Sequence, residues 1–187
     1  MSQVENITQT KKLRVAIVWL DGCSGCHMSF LDMDERIVEL AQYMDIVYSP
    51  YVDAKEVPKD IDLFIVEGAL STDHDLKIIQ TIRKNSKKIL ALGDCAITGN
   101  ISAIKNLFGT EAILEKGYFD LADFNKGKYP SKIVPKLLDK VIPLNEAVDI
   151  DYFVPGCPTP ANAIYEVLKG LVDGVEVDVS KYTRFGL

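Results

Sequence analysis

Cysteine is scarce in this chain. Four cysteines in 187 residues are too few for a disulfide-stapled scaffold, and a chain of that length buries a core without staples. Positive charge is short as well. Lys and Arg total 21 against 27 Asp and Glu, a net charge of −6 that leaves no basic face for phosphates and excludes a nucleic-acid binder. No apolar run approaches the roughly 20 residues of a membrane span; the longest, such as Val15-Ala16-Ile17-Val18-Trp19-Leu20, are strand-sized. The opening stretch, Met1 to Thr10, has no apolar h-region and no twin-arginine pair, so no export signal is expected and the chain is placed in the cytoplasm. In that reducing compartment the cysteines read as metal ligands or redox groups rather than disulfides. Internal repeats and low-complexity tracts are absent too. At 48% hydrophobic and 26% charged residues, the composition is that of a soluble globular protein.

What is present is an alternation of strands and helices. Leu13–Leu20 is rich in β-branched residues and apolar enough to be covered on both faces, as a central parallel strand is. Phe30, Leu31, Ile37, Val38, Ala41 and Met44 recur at helical spacing. Asp45–Tyr48 reads as a short strand and Ile61–Val66 as a stronger one closing on Glu67-Gly68-Ala69-Leu70; Ser71 or Thr72 then caps a helix through Leu76, Ile79 and Ile82. Lys88–Leu92 is a further buried strand, followed by a helix from about Ile101 to Phe108. Residues 110–149, broken by Pro130, Pro135 and Pro143, read as an irregular excursion over the sheet edge and a candidate partner surface. Asp151–Val154 is the last strand, and Ala161, Ile164, Val167 and Leu168 mark the last helix. Residues 1–12 are expected to be a flexible tail and residues 13–187 a single domain. The class is α/β, a flavodoxin-like doubly wound parallel sheet built of right-handed βαβ units.

Each cysteine falls where one of these strands ends. Cys23 and Cys26 lie in Asp21-Gly22-Cys23-Ser24-Gly25-Cys26, Cys95 in Gly93-Asp94-Cys95, and Cys157 in Pro155-Gly156-Cys157-Pro158. Ligands of open α/β sheets bind beyond the carboxyl ends of the strands, so parallel strands bring all four thiols to one edge. Three readings compete. A thiol–disulfide pair accounts for Cys23 and Cys26 and leaves the other two as coincidence. Structural zinc usually takes two close Cys-x-x-Cys pairs, whereas Cys95 and Cys157 are isolated. A [4Fe–4S] cluster accepts one close pair plus two remote cysteines, and a proline after the last ligand recurs in cluster motifs. The cluster accounts for most. Gly22, Gly25, Gly93 and Gly156 can take positive φ or let backbone N–H groups approach cluster sulfides, although each alone is an ordinary turn glycine.

Cys23-Ser24-Gly25-Cys26, Glu67-Gly68-Ala69, Gly93-Asp94-Cys95-Ala96 and Pro155-Gly156-Cys157-Pro158, in that order, resemble the small subunit of [NiFe] hydrogenases, most closely the short cytoplasmic kind of NAD(P)-linked, bidirectional hydrogenases. The resemblance covers nearly the whole chain after Lys12. It implies that Cys23, Cys26, Cys95 and Cys157 bind one proximal [4Fe–4S] cluster beside a nickel–iron centre held by a large subunit. It further implies iron–sulfur and flavin/NAD(P)-binding diaphorase subunits as the other partners. The 20-kDa cluster subunit of respiratory complex I is a relative, but has adjacent cysteines in its first motif; the two-residue spacer here favours the hydrogenase. Exported hydrogenases carry a further C-terminal domain with two more clusters and a twin-arginine leader. This chain is expected to lack both, and so to hold a single cluster as one relay station. The missing Gly-x-Gly-x-x-Gly loop speaks against a flavin on this chain.

Other residues near the expected edge are open to two readings. Glu67 either orients the cysteine loops or serves proton transfer, or else it is a water-exposed loop carboxylate. His27 contacts the partner, the cluster surroundings or a flavin, or faces solvent at a helix start, and the solvent reading is favoured. His74 reads as a solvated helix start, Asp21 and Asp94 as negative charge beside the cluster or turn caps, and Trp19 as core or interface packing.

Overall fold

The computed structural model describes residues 11–124 and 126–186. Residues 1–10 of the expected tail lie outside them, while Lys12 is tied down, its Nζ donating to the Ala41 carbonyl at 2.7 Å. In chain order the strands and α-helices are β1 (Leu13–Trp19), α1 (Gly25–Leu31), α2 (Glu35–Leu40), β2 (Met44–Tyr48), β3 (Ile61–Glu67), β4 (Leu70–Thr72), α3 (Asp73–Asn85), β5 (Ser86–Leu92), α4 (Asp94–Thr98), α5 (Thr110–Glu115), β6 (Leu137–Ile142), β7 (Tyr152–Val154) and α6 (Ala161–Asp173).

Five strands form one sheet in the order β2-β1-β3-β5-β7, every pair parallel. Counting only these strands, the order is 2-1-3-4-5, that of flavodoxin-like doubly wound folds. Side chains alternate across a strand, so the sheet sorts its apolar residues into two cores. Val15, Ile17, Leu63, Ile65, Leu90 and Leu92 face Phe30, Leu40, Ile164 and Val167 from α1, α2 and α6. Ala16, Val18, Phe64, Val66, Ile89 and Ala91 face Ile79 and Ile82 of α3, with Leu144 and Ala96. Each such side chain contributes about 1.5–3 kcal/mol on full burial, which holds the strand ends rigidly enough to build on. Thr72 closes a reciprocal capping box with Asp75 at the start of α3, as the sequence predicts.

Three expectations need correction. The helical pattern from Phe30 to Met44 is two helices, because Asp34 takes φ 50° and breaks the ladder; Met44 already belongs to β2. The helix expected over 101–108 is a 3-10 turn, Ser102–Leu107, preceded by the short α4. The excursion over 110–149 contains α5 and β6, and β6 pairs antiparallel with β4 in a second, two-stranded sheet. Among the described residues, no helix is long and apolar enough to cross a membrane.

Candidate metal centre

Four strands end on one register line. Trp19 of β1 lies beside Glu67 of β3, Glu67 beside Leu92 of β5, and Leu92 beside Val154 of β7. Cys23 follows that line by four residues (19 to 23), and Cys95 and Cys157 by three each (92 to 95, 154 to 157). Cys26 joins them from the first turn of α1. All four are free thiols, Cys26 buried, Cys95 half-buried, Cys23 and Cys157 exposed. The segments are in contact: the Gly93 N–H donates to the Val154 carbonyl at 2.8 Å and the Asp94 N–H to the Gly156 carbonyl at 3.0 Å. A Cβ on Gly93, which sits at φ 84°, would run into Cys26 Sγ, so glycine is required there on two counts. Of the other glycines singled out, Gly156 also takes positive φ, whereas Gly22 and Gly25 do not.

The chemistry of the donors decides what the edge can hold. Burial pushes the Cys26 thiol up to about 11, even though it accepts a hydrogen bond from the Thr159 N–H at 3.5 Å. Burial, and then the negative charge of Cys157 and Cys23, pushes Cys95 up. A redox dithiol needs a thiol pulled down into the thiolate range. These interior thiols are pushed the other way, and they become thiolates when a cation replaces the proton. Among the described residues, no three Cys, His, Asp or Glu side chains converge on one point as ligands of a single ion. Tetrahedral zinc asks for four sulfurs about 2.3 Å from one centre. An iron–sulfur cluster takes one cysteine per iron and holds the sulfurs apart at its corners. Four thiols delivered by loops at one sheet edge, with Gly93 leaving room beside Cys26, are a donor set of the kind an iron–sulfur cluster takes.

Glu67 is 3% exposed, which overturns the water-exposed reading of it. Helix α1 has no side-chain cap of its own; Ser24 stands at its start with φ 62°. The Glu67 carboxylate takes that place from the neighbouring strand. It accepts the His27 N–H at 2.8 Å, and the backbone N–H groups of Cys26 and Ser24 add to the favourable field around it. Burial pushes its carboxyl up, and these N–H donors oppose the push. Glu67 is thus bonded to the backbone directly after Cys26, at the start of α1.

Asp94 does similar work one strand over. Its Oδ1 accepts the Gly156 N–H at 2.7 Å and its Oδ2 the Gly186 N–H at 2.8 Å, so this buried carboxylate joins the Cys95 and Cys157 loops to the segment near residue 186. His27 does not face solvent as favoured above. It is 1% exposed, with ring centroids 5.1 Å from Trp19 and 5.3 Å from Tyr51. Its Nδ1 has no hydrogen-bond partner among the described residues, and burial pushes its pKa down, favouring the neutral ring. Trp19 is 37% exposed and packs edge-on against His27 and Tyr51.

Two residues at the edge went unnoticed in the sequence. Thr159, fully buried, supplies the N–H to Cys26 and places its hydroxyl on the Val154 carbonyl at 3.2 Å. Asn100 donates from Nδ2 to Cys157 Sγ at 3.3 Å. The signal for Thr159 was its place two residues after a ligand; for Asn100, five residues after Cys95, there was none.

The family model of the 20 Kd subunit of NADH ubiquinone oxidoreductase matches residues 23–171, a span that takes in all four cysteines. The chain belongs to this family. Its relatives include hydrogenase subunits. One subunit of the F420-non-reducing hydrogenase vhu of Methanocaldococcus jannaschii is 38% identical over 168 residues, covering 89% of this chain and 58% of that protein. Subunit delta of the NAD-reducing hydrogenase HoxS of Cupriavidus necator is 34% identical over 174 residues, covering 90% of this chain and 82% of that one. A chain of a NAD+-reducing [NiFe]-hydrogenase, solved in the H2-reduced state, superposes with a TM-score of 0.89 at 32% identity, covering 94% of this chain and 99% of that one. The chain spans between 56% and 60% of the length of three F420-non-reducing hydrogenase relatives. These likenesses agree with the resemblance read from the four motifs.

Proposed function

We propose that this chain is the electron-relay small subunit of a cytoplasmic [NiFe] hydrogenase of the NAD(P)-linked kind. The observation that carries the reading is the gathering of Cys23, Cys26, Cys95 and Cys157 beyond one register line of the sheet, in a family whose members here include a NAD-reducing hydrogenase subunit. Those four thiolates would hold one [4Fe–4S] cluster. Bound there, it supplies one-electron transfer between the nickel–iron site of a large subunit and a flavin- and NAD(P)-binding diaphorase module.

The chain's own residues do the holding. Glu67 fixes the turn that presents Cys23 and Cys26, Asp94 ties the Cys95 and Cys157 loops together, and Gly93 clears room beside Cys26. The sheet edge and α6 exclude water from Cys26, while Cys23 and Cys157 stay at the surface where a partner can close over them. Met28, two residues past Cys26, is exposed, as are Ile101, Leu107, Phe108, Phe124 and Ile133 beyond the third ligand. Such apolar exposure marks the partner-binding face. H2 activation is assigned to the partner, and this chain contributes no catalytic residue; Glu67 is read as orienting the cysteine loop, with proton transfer the other role open to it.

The family name itself raises a second reading, a complex-I-like relay without hydrogenase activity. The Cys23-Ser24-Gly25-Cys26 spacer and the 34% identity to a NAD-reducing hydrogenase subunit favour the first. Purification of the complex decides between them. A nickel-containing large subunit co-purifies and H2 drives NAD(P)+ reduction, and Cys95→Ser or Cys157→Ser abolishes that reduction. Full activity in either variant overturns the assignment, and cluster-bearing protein with neither nickel nor H2 uptake supports the second reading.

A further inference from the structure

We propose that Asn100 is a positioning residue that raises the reduction potential of the cluster through the Cys157 thiolate. The inference rests on the cluster reading above.

The turn after α4 is built to deliver donors. Gly99 has φ 82° and Asn100 φ 34°, two successive left-handed residues. Asn is among the few non-glycine residues that tolerate this, and such turns form concavities that receive anions. The geometry is over-determined. The Gly99 N–H donates to the Cys95 carbonyl at 2.9 Å, and the Ala103 N–H donates to the carbonyls of Gly99 and Asn100 at 3.0 and 3.2 Å. The Ser102 hydroxyl donates to the Asp21 carbonyl at 3.1 Å and pins the turn to the first cysteine loop.

Held so, the turn reaches two ligands at once. The Asn100 side-chain amide donates to Cys157 Sγ at 3.3 Å, and the Ile101 N–H lends a favourable field to the Cys95 sulfur. A thiolate that accepts an N–H bond bears extra negative charge more readily. The reduced cluster is the more negative state, so each such donor favours it and raises the potential. Cys157 is exposed, so the amide also fixes a sulfur that the core does not enclose. The carboxylates of Asp21, Glu67 and Asp94 are unchanged in a variant of Asn100, so a difference between variants isolates the amide.

The test is a redox titration of the intact complex followed by electron paramagnetic resonance, on wild type, Asn100→Gly and Asn100→Asp. Glycine accepts the φ of the turn and keeps the Ile101 N–H, removing only the amide. The expected result is a lower midpoint potential with unchanged iron content, and a larger drop in Asn100→Asp, which places a negative charge on the sulfur. An unchanged potential in Asn100→Gly, or a rise in Asn100→Asp, overturns the inference while leaving the cluster in place. Should Asn100→Gly lose the cluster, Asn100→Asp, nearly isosteric with the native residue, decides by its potential alone. Absence of any cluster signal from the wild-type complex overturns the cluster reading, and this inference with it.

Discussion

Glu67→Gln is the substitution that most sharply separates the site from the fold around it. The native carboxylate accepts the His27 N–H at 2.8 Å, directly after the Cys-x-x-Cys turn, with the N–H groups of Cys26 and Ser24 adding to the field that favours its charge. Hydrogen bonds to a charged acceptor are worth about 1.5–3 kcal/mol each, and a buried donor left unpaired costs about 1–3 kcal/mol. The Gln amide weakens the charge-assisted bond from the His27 N–H to a neutral one and turns an NH2 towards the neighbouring N–H groups. Against this, a neutral side chain recovers part of the cost of burying a charge, the cost that pushes the Glu67 carboxyl up. The net loss is about 2 kcal/mol. At about 2–4 °C per kcal/mol for a chain of this size, the melting temperature falls by roughly 4–8 °C. Iron bound per chain falls with it, because the turn carrying Cys23 and Cys26 is no longer fixed, while the helical circular dichroism of the remaining domain persists. Calorimetry beside iron analysis on the same preparation checks both. A variant with wild-type melting temperature and full iron refutes the account of how α1 is capped.

Gly93→Ala forces a side chain into a positive-φ, extended conformation that is essentially glycine's alone, about 1–3 kcal/mol, and drives it against Cys26 Sγ; iron analysis should find the cluster lost, and full incorporation counts against the room that Gly93 leaves. Asp151 gives a pH prediction. Burial pushes its carboxyl up, but Lys88 at 2.8 Å, Arg83 at 2.9 Å and the Ile89 N–H at 2.9 Å outweigh this and hold it below its ordinary 3.8. A depressed carboxyl stabilises the fold above its unfolded value, and that contribution disappears as pH falls below 3.8 through the folded one. Asp151→Asn is therefore less stable by about 1–3 kcal/mol at neutral pH, with the gap closing in acid; urea midpoints across pH check it, and a gap constant with pH refutes it. Thr159→Val removes the second hydrogen bond of a Val154 carbonyl that keeps the Gly93 N–H, and costs about 0.5–1.5 kcal/mol, read by urea denaturation; an unchanged midpoint shows that bond to be dispensable.

The parallel strands were legible because both of their faces are apolar, and the sheet edge that gathers the cysteines because Cys23, Cys95 and Cys157 follow such strands within a few residues. That local signal led to the sheet order and to the shared edge. What escaped the sequence was set by tertiary contact. Asp34 breaks the helical pattern at a φ that no periodicity announces. β4 is three residues long and finds β6 across more than sixty positions, a non-local pairing with no local trace. His27 looked solvated because its packing against Trp19, from the strand before it, and Tyr51, from a later loop, is set by the fold and has no local pattern. Glu67 had two balanced readings until its distance to the α1 backbone was known, since a carboxylate ending a buried strand can point to water or into the turn. Asn100 carried no signal at all; its reach to Cys157 depends on two consecutive left-handed residues.

The central claim, that the four cysteines hold a [4Fe–4S] cluster, is tested most directly by metal and sulfide analysis of the anaerobically purified complex, with its paramagnetic resonance spectrum before and after dithionite. The account predicts a cluster signal that dithionite brings to a paramagnetic state, and the loss of that signal in Cys95→Ser together with iron and acid-labile sulfide in equal amounts, the difference from wild type leaving the partners' iron aside. Stoichiometric zinc in a colourless protein, or a cluster signal that survives Cys95→Ser and Cys157→Ser unchanged, contradicts it.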